Sequence, residues 1–238
     1  MAYHFDEAEI VKIIDETYMV KRFFIKMPDY IKFSFKAGQF VMINLPIHSK
    51  YTNRSYSIAS APSDDNIFEL CIVLKPTGLG TPYTWENFEV GTKVQVSKAL
   101  GKFMLQEPIE TDICFIGTGT GIAPLRSQLI DIFNRNLPHK NIYMAFGVRW
   151  EKDILYRSEF EKIAAEHPEF KFIPVLSREN TGWDGRKGYV HAVYEEIFAD
   201  KRPAHFYICG WNDMLRESRH RLEAMGYDKN SIRFESYD

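Results

Sequence analysis

The sequence predicts a two-domain fold: an antiparallel β domain, barrel or sandwich, followed by an α/β domain built on a parallel sheet. Three observations carry this expectation. The first hundred residues hold short runs of β-branched and aromatic residues divided by turn formers. After Gln106-Glu107-Pro108 the rhythm changes, and apolar strands alternate with longer amphipathic segments. The length of 238 residues suits two modest domains, and 45% apolar residues can fill their cores. The expected boundary lies at Pro108, giving domains 1–107 and 108–238.

The elements follow in order. Strands are expected at Ile10–Thr17, Val20–Lys26, Phe40–Leu45, Ser55–Ser60, Phe68–Leu74 and Lys93–Ser97. Pro28-Asp29, Ala37-Gly38, Pro62-Ser63-Asp64-Asp65 and Val90-Gly91 punctuate them, and one helix is expected from Thr81 to Phe88. In the second half the strands are Ile113–Gly117, Ile142–Gly147, Phe170–Leu176, His205–Cys209 and Ile232–Ser236. The intervening helices are Pro124–Arg135, Tyr156–Glu166, His191–Phe198 and Asp213–Met225. Such alternation predicts βαβ units with helices on both faces of the sheet.

Composition excludes several classes of function. Thirty basic residues stand against 32 acidic ones, a formal net charge of −2, which leaves no nucleic-acid footprint and no polybasic membrane patch. Basic pairs at Lys21-Arg22, Arg186-Lys187 and Lys201-Arg202 leave room for a local docking face for an acidic partner. Cys71, Cys114 and Cys209 are far apart and form no Cys-x-x-Cys, so no zinc or iron–sulfur site is readable; the pattern fits reduced thiols in a cytoplasmic protein. The seven histidines lack metal-ligand spacing, and no metal is expected. The start shows no signal-peptide pattern, and no apolar run approaches the roughly 18–20 residues that cross a bilayer. Aromatic residues reach 15%, a share that a β domain and flat cofactors would both use.

Two stretches carry chemistry. Arg54-Ser55-Tyr56-Ser57 offers a cation, an aromatic face and a hydroxyl. Gly117-Thr118-Gly119-Thr120-Gly121-Ile122-Ala123-Pro124 follows the apolar run Ile113-Cys114-Phe115-Ile116 and opens a helix. Glycines there let phosphate oxygens reach backbone N–H groups, and the helix adds its positive end. Pro124 falls in the first turn, where proline is tolerated. The spacing is G-x-G-x-G rather than G-x-G-x-x-G, so a tight structural turn is the competing reading. Arg149, Ser177-Arg178 and Arg186 sit at or past the ends of later strands, where α/β sheets bind ligands. Guanidinium groups there suit a ribose 2′-phosphate and hence NADPH; Glu179 or Asp184 could instead serve a free 2′-hydroxyl and NADH. Two nucleotide cofactors on one chain imply electron transfer between them.

With these motifs in this order, from about Glu9 to Asp238, the chain resembles the ferredoxin–NADP reductase superfamily. The resemblance implies a Greek-key FAD-binding β-barrel, a nucleotide-binding α/β domain and the following residue roles. Arg54 would hold the FAD pyrophosphate, Tyr56 would stack on the isoalloxazine, and Ser57 would hydrogen-bond near its N5. Gly78-Leu79-Gly80-Thr81 is similar to the element that opens a short helix at the FAD phosphates, and Gly101-Lys102-Phe103 to the end of the flavin domain. Gly117, Thr118, Gly119, Gly121 and Pro124 would form the nicotinamide-nucleotide turn. Cys209-Gly210 would set a thiol beside the nicotinamide, Glu235 would assist hydride transfer, and Tyr237 would cover the flavin. Trp211 after Cys209-Gly210, and Asp238 after Tyr237, depart from the family pattern. The implied enzyme is an FAD-dependent NAD(P)H oxidoreductase serving ferredoxin or flavodoxin. The alternatives are an NADH-linked reductase component of an oxygenase system, a free-flavin reductase and a non-catalytic flavoprotein subunit.

Overall fold

The computed structural model describes residues 4–47, 50–178 and 182–237; Glu179 lies outside them. The chain forms two units. The first runs to Leu105 and takes in Arg126–Arg135; the second comprises Gln106–Leu125 and the chain from Asn136 onward.

The first unit is an antiparallel sheet of six strands in the order β4-β3-β6-β1-β2-β5. Its strands are β1 (Phe5–Thr17), β2 (Val20–Lys26), β3 (Phe40–Ile47), β4 (Lys50–Ser57), β5 (Ile67–Val73) and β6 (Lys93–Ser97). β1 serves two partners: Phe5–Glu9 pairs with β6, and Glu9–Thr17 with β2. An antiparallel bridge between Ile58 and Leu70 joins the two edges, which closes the sheet into a barrel. Alternate residues Ile10, Phe23, Ile25, Val41, Ile43, Phe68, Leu70 and Val96 fill the interior. The short helix α1 (Gly80–Asn87) and the residue after it set Trp85 and Phe88 edge-on to Phe23, with ring centroids 6.0 and 5.7 Å away.

The second unit is a sheet of six strands, all parallel, in the order β10-β9-β8-β7-β11-β12. These are β7 (Asp112–Thr118), β8 (Ile142–Val148), β9 (Phe170–Leu176), β10 (Arg186–Lys187), β11 (Ala204–Gly210) and β12 (Ile232–Ser236). β7 is buried from Asp112 to Gly117 because both sheet faces are covered. Helices α4 (His191–Ile197) and α5 (Asn212–Met225) pack Val193, Tyr194, Leu215 and Leu222 against Cys114, Ile116, Phe206 and Ile208. Phe160 of α3 (Arg157–Glu166) lies 4.9 Å from the Phe172 ring on β9. Helix α2 (Ile122–Asn134) follows the glycine turn; from Arg126 on it belongs to the first unit. The strand order steps outward from β7 to β10 and then returns to β11 beside β7. That reversal makes the carboxyl ends of β7 and β11 a switch point, the usual ligand crevice of an open α/β sheet.

The structure differs most from the sequence expectation in three places, with shifts of one or two residues at other element ends. β1 begins at Phe5 rather than Ile10, because charged Asp6, Glu7 and Glu9 sit in a stretch whose partner is distant β6. β4 starts at Lys50 and stops at Ser57, instead of spanning Ser55–Ser60. Its polar residues hide it, and β3 supplies the apolar partner side through Val41, Ile43, Leu45 and Ile47. The two-residue strand β10 was too short to leave a pattern.

Candidate functional site

In the first unit, strand alternation puts Arg54 and Tyr56 on one face of β4, opposite Ile43 and Val41 of β3. Tyr56 packs its ring partly against the barrel core. Burial pushes its phenol up to about 12 despite the pull of Arg54, so the hydroxyl stays protonated at neutral pH. Ser57, the last residue of β4, is buried. The Arg54 side chain lies against the first residue of α1: a Cβ at Gly80 would stand 3.1 Å from Arg54 Nε and 3.2 Å from its Cγ. No side chain caps α1 and no acid occupies its first turn, so the helix presents its positive end beside a guanidinium. This is a cradle for an anion next to a half-buried aromatic face. The Thr81 hydroxyl accepts from the Lys75 amide at 2.8 Å, and the Gly78 amide donates to the Lys75 carbonyl at 2.8 Å. Thr81 therefore shapes the loop that leads into the helix.

In the second unit, the glycine turn meets the end of β11. Gly117 and Cys209 are register partners across β7 and β11, and Cys209 pairs in turn with Glu235 of β12. Gly119 has φ +53° and no atom within 4 Å of where a Cβ would stand, which leaves its backbone open to a ligand. Gly121 is packed the other way: a Cβ there would fall 2.3 Å from the Cys209 carbonyl oxygen. The Trp211 amide donates to Thr118 Oγ1 at 3.4 Å, while the Trp211 ring is exposed. Pro124 stands in the first turn of α2, where no acid opposes the helix's positive end.

Cys209, Glu235 and Tyr237 converge. The Tyr237 amide donates to the Gly210 carbonyl at 3.2 Å, and the Tyr237 side chain hydrogen-bonds the Cys209 sulfur. Burial, then the Glu235 carboxylate, pushes the Cys209 thiol well above its ordinary range; the bond from Tyr237 pulls the other way. The group facing the switch point is thus a neutral thiol beside an acid. Burial likewise raises the Cys114 thiol.

The cationic residues divide. Arg149, Ser177 and Arg178 are brought together, since the Arg178 amide donates to the Arg149 carbonyl at 3.0 Å and Ser177 bonds the Val148 carbonyl. All three are exposed at the carboxyl ends of β8 and β9. Arg186 stands apart, with its guanidinium making a bidentate bridge to Glu196 of α4 at 2.6 and 2.7 Å. Asp184 is exposed.

Sequence reasoning missed four residues. Arg126, Ser127 and Gln128 of α2 are buried and donate to the carbonyls of Ala59, Ser60 and Phe103, and Glu69 of β5 is a buried carboxylate bonded to Arg22 and Arg126. The available signal was a run of three consecutive polar residues flanked by apolar ones in the helix that follows the glycine turn.

Comparison with known proteins gives the family. The family described as the oxidoreductase FAD-binding domain matches residues 7–105, and the oxidoreductase NAD-binding domain matches residues 115–220. The chain is 31% identical over 239 residues to ferredoxin–NADP reductase B of Sorangium cellulosum, covering 98% of this chain and 97% of that one. It is 30% identical to the glycine betaine monooxygenase reductase subunit of Pseudomonas aeruginosa over 95% of this chain, but spans only 63% of that subunit. Among solved structures, the Amycolatopsis cytochrome P450 reductase GcoB superposes with a TM-score of 0.88 at 26% identity, covering 99% of this chain and 71% of that one. The fold also matches a ferredoxin NADP+ reductase from Neisseria gonorrhoeae with bound FAD and NADP, at a TM-score of 0.85, 23% identity and 99% coverage of both chains.

The burial of all three thiols has a direct readout. The folded protein at pH 8 is expected to react with a thiol-specific disulfide reagent only on the timescale of unfolding, and all three cysteines at once in denaturant. Rapid reaction of a thiol in the native protein would contradict it.

Proposed function

The chain belongs to the ferredoxin–NADP reductase superfamily, and we propose that it passes electrons between NADPH and a separate one-electron carrier such as a ferredoxin, a flavodoxin or an oxygenase component. It is an FAD-dependent NAD(P)H oxidoreductase. The observation that carries the reading is a pair of anion cradles on one chain. One is Arg54 with the uncapped start of α1, next to the Tyr56 ring; the other is the glycine turn abutting Cys209. We assign residues 1–107 to FAD and 108–238 to the nicotinamide nucleotide, and place the enzyme in the cytoplasm on its sparse, buried thiols.

In this reading Arg54 and the first N–H groups of α1 hold the FAD pyrophosphate, with Gly78, Gly80 and Thr81 shaping the approach. Tyr56 supports the isoalloxazine, and the Ser57 hydroxyl bonds its N5. Gly117, Thr118, Gly119, Gly121 and Pro124 hold the pyrophosphate of NADPH. Arg149, Ser177 and Arg178 read the 2′-phosphate, and Arg186 joins them by exchanging its surface bridge to Glu196 for the phosphate. Cys209 orients the nicotinamide without charge, Glu235 holds or relays a proton, and Tyr237 screens the reacting face. Held there, FAD would supply the conversion between a two-electron donor and the single electrons that a one-electron carrier requires.

A second reading, the reductase component of an oxygenase system, is favoured by the likeness to the glycine betaine monooxygenase reductase subunit. It differs in partner and not in the chemistry at these residues.

The decisive experiment is anaerobic titration of the purified holoprotein. NADPH is expected to bleach the yellow flavin stoichiometrically, and a ferredoxin, flavodoxin or oxygenase component to reoxidise it; a flavin that NADPH and NADH both leave oxidised would point to a non-catalytic subunit. Tyr56→Ala is expected to weaken FAD retention about 10-fold, followed as flavin fluorescence released on dialysis. Paired Arg149→Ala and Arg178→Ala changes are expected to lower kcat/KM for NADPH by about 100-fold and to spare NADH. Equal losses with both nucleotides would remove these arginines from 2′-phosphate recognition.

A further inference from the structure

We infer that Arg126 and Ser127, consecutive residues of α2, are positioning residues of the flavin site that act by holding the main chain leaving Ser57, while the next residue, Gln128, ties the same helix to the chain at Phe103. The inference rests on the proposed role of β4 in binding the flavin. Each side chain donates to one carbonyl of the first unit: Arg126 Nη1 to Ala59 O at 2.7 Å, Ser127 Oγ to Ser60 O at 2.6 Å, and Gln128 Nε2 to Phe103 O at 2.5 Å. Glu69 engages the same segment through its backbone: Ala59 N donates to Glu69 O at 2.8 Å, and Glu69 N donates to Ser60 Oγ at 3.0 Å. Ala59 is therefore held by both its amide and its carbonyl, and Ser60 by its hydroxyl and its carbonyl.

The need for this clamp lies in the topology. The ladder between β4 and β3 ends at Ser57 opposite Phe40, and a single bridge at Ile58 joins the chain to β5. Ala59 and Ser60 lie beyond both, yet their backbone is closed in and its polar groups need partners. The helix supplies donors where the sheet has none. Ser57 is two residues from the first clamped carbonyl and Tyr56 three, so the clamp bears on where that hydroxyl and ring stand. A binding constellation tolerates displacements of only about 0.5 Å.

Charge makes the clamp specific. The Arg126 side chain is 8% exposed and Glu69 2%, so removing either partner would leave a buried charge poorly compensated. Glu69 holds Arg22 Nε at 2.7 Å and Nη2 at 3.0 Å, and stands 3.3 Å from Arg126 Nη1. Arg22 also reaches Glu16 at 3.2 Å, which brings a second carboxylate to the network. A buried network of this kind adds little net stability over apolar packing, but it admits one arrangement of the groups it joins.

The test uses the holoprotein and compares Arg126→Ala and Arg126→Lys with Ile132→Ala, a fully buried apolar position on the same helix that serves as a stability control. Arg126→Ala is expected to weaken FAD retention about 10-fold, to alter the visible circular dichroism of bound flavin, and to lower kcat while leaving KM for NADPH unchanged. Arg126→Lys, which keeps the charge and a donor, should recover most of the loss. Ile132→Ala should reduce Tm at least as much and leave the flavin spectrum and retention as in the parent protein. Wild-type flavin retention and dichroism in Arg126→Ala would overturn the inference, as would flavin changes in Ile132→Ala in proportion to its Tm. Should Arg126→Ala not fold, Ser127→Ala removes one clamp bond without stranding a charge, and an unchanged flavin spectrum there also overturns it. If Arg54→Ala and Tyr56→Ala both kept full FAD, the assignment of β4 to the flavin would fail; if they lost it while Arg126→Ala did not, only the clamp would.

Discussion

Backbone polar groups that leave one sheet ladder before joining another must find partners, and in the barrel this requirement falls at Ala59 and Ser60, just past Arg54-Ser55-Tyr56-Ser57. The solution draws on β5 through Glu69 and on α2 through Arg126 and Ser127. It explains why residues 126–135 belong with the barrel although they follow the first strand of the second unit in sequence. It also explains why a helix that could have been apolar on its buried side carries an arginine, a serine and a glutamine. The cost of burying the guanidinium is offset by a carboxylate already bonded to Arg22.

The second unit solves a different problem by register. In a parallel sheet, strands entering from the same end finish at the same edge, and pairing decides which residues share a level there. Gly117, Cys209 and Glu235 share one level across β7, β11 and β12, and Thr118 meets Trp211 one step further on. A slip of one residue in β12 would carry Glu235 to the other face of the sheet and place Ser236 opposite Cys209. Large β-branched and aromatic residues below that level, such as Ile116, Phe206 and Ile208, make such a slip costly because they are packed on both faces. Core packing therefore sets the geometry of the polar edge.

Legibility in the sequence followed the strength of local signals. The buried strands β2, β6 and β9 were read with their observed bounds because apolar β-formers end at turn residues. The start of β4 was hidden because an arginine and an asparagine in a strand look like loop, and only the pairing with β3 makes them strand. The two motifs were legible as chemistry, since glycine spacing and an Arg-x-Tyr-Ser run are local. Arg126 was not, because its partners Ala59 and Glu69 lie 67 and 57 residues away. Arg186 was legible as a cation at a sheet end, but its partner Glu196 is supplied by the next helix, ten residues on. Sequence shows a charge and its neighbours, whereas its availability to a ligand depends on tertiary pairing.

The electrostatics at the end of β11 bear on the direction of the chemistry. Cys209 is kept protonated by burial and by the Glu235 carboxylate, so it contributes bulk and polarizability there but no charge. A carboxylate on the neighbouring strand at the same level adds negative charge to that edge. On the reading proposed here, the nicotinamide is neutral when reduced and positive when oxidised, and a nearby anion stabilises the oxidised form relative to the reduced one. A thiolate at position 209 would add to that bias and risk holding the oxidised nucleotide too long, whereas a neutral thiol adds nothing to it. The Tyr237 bond works against this by favouring the thiolate, but burial is the larger effect and keeps the proton on sulfur.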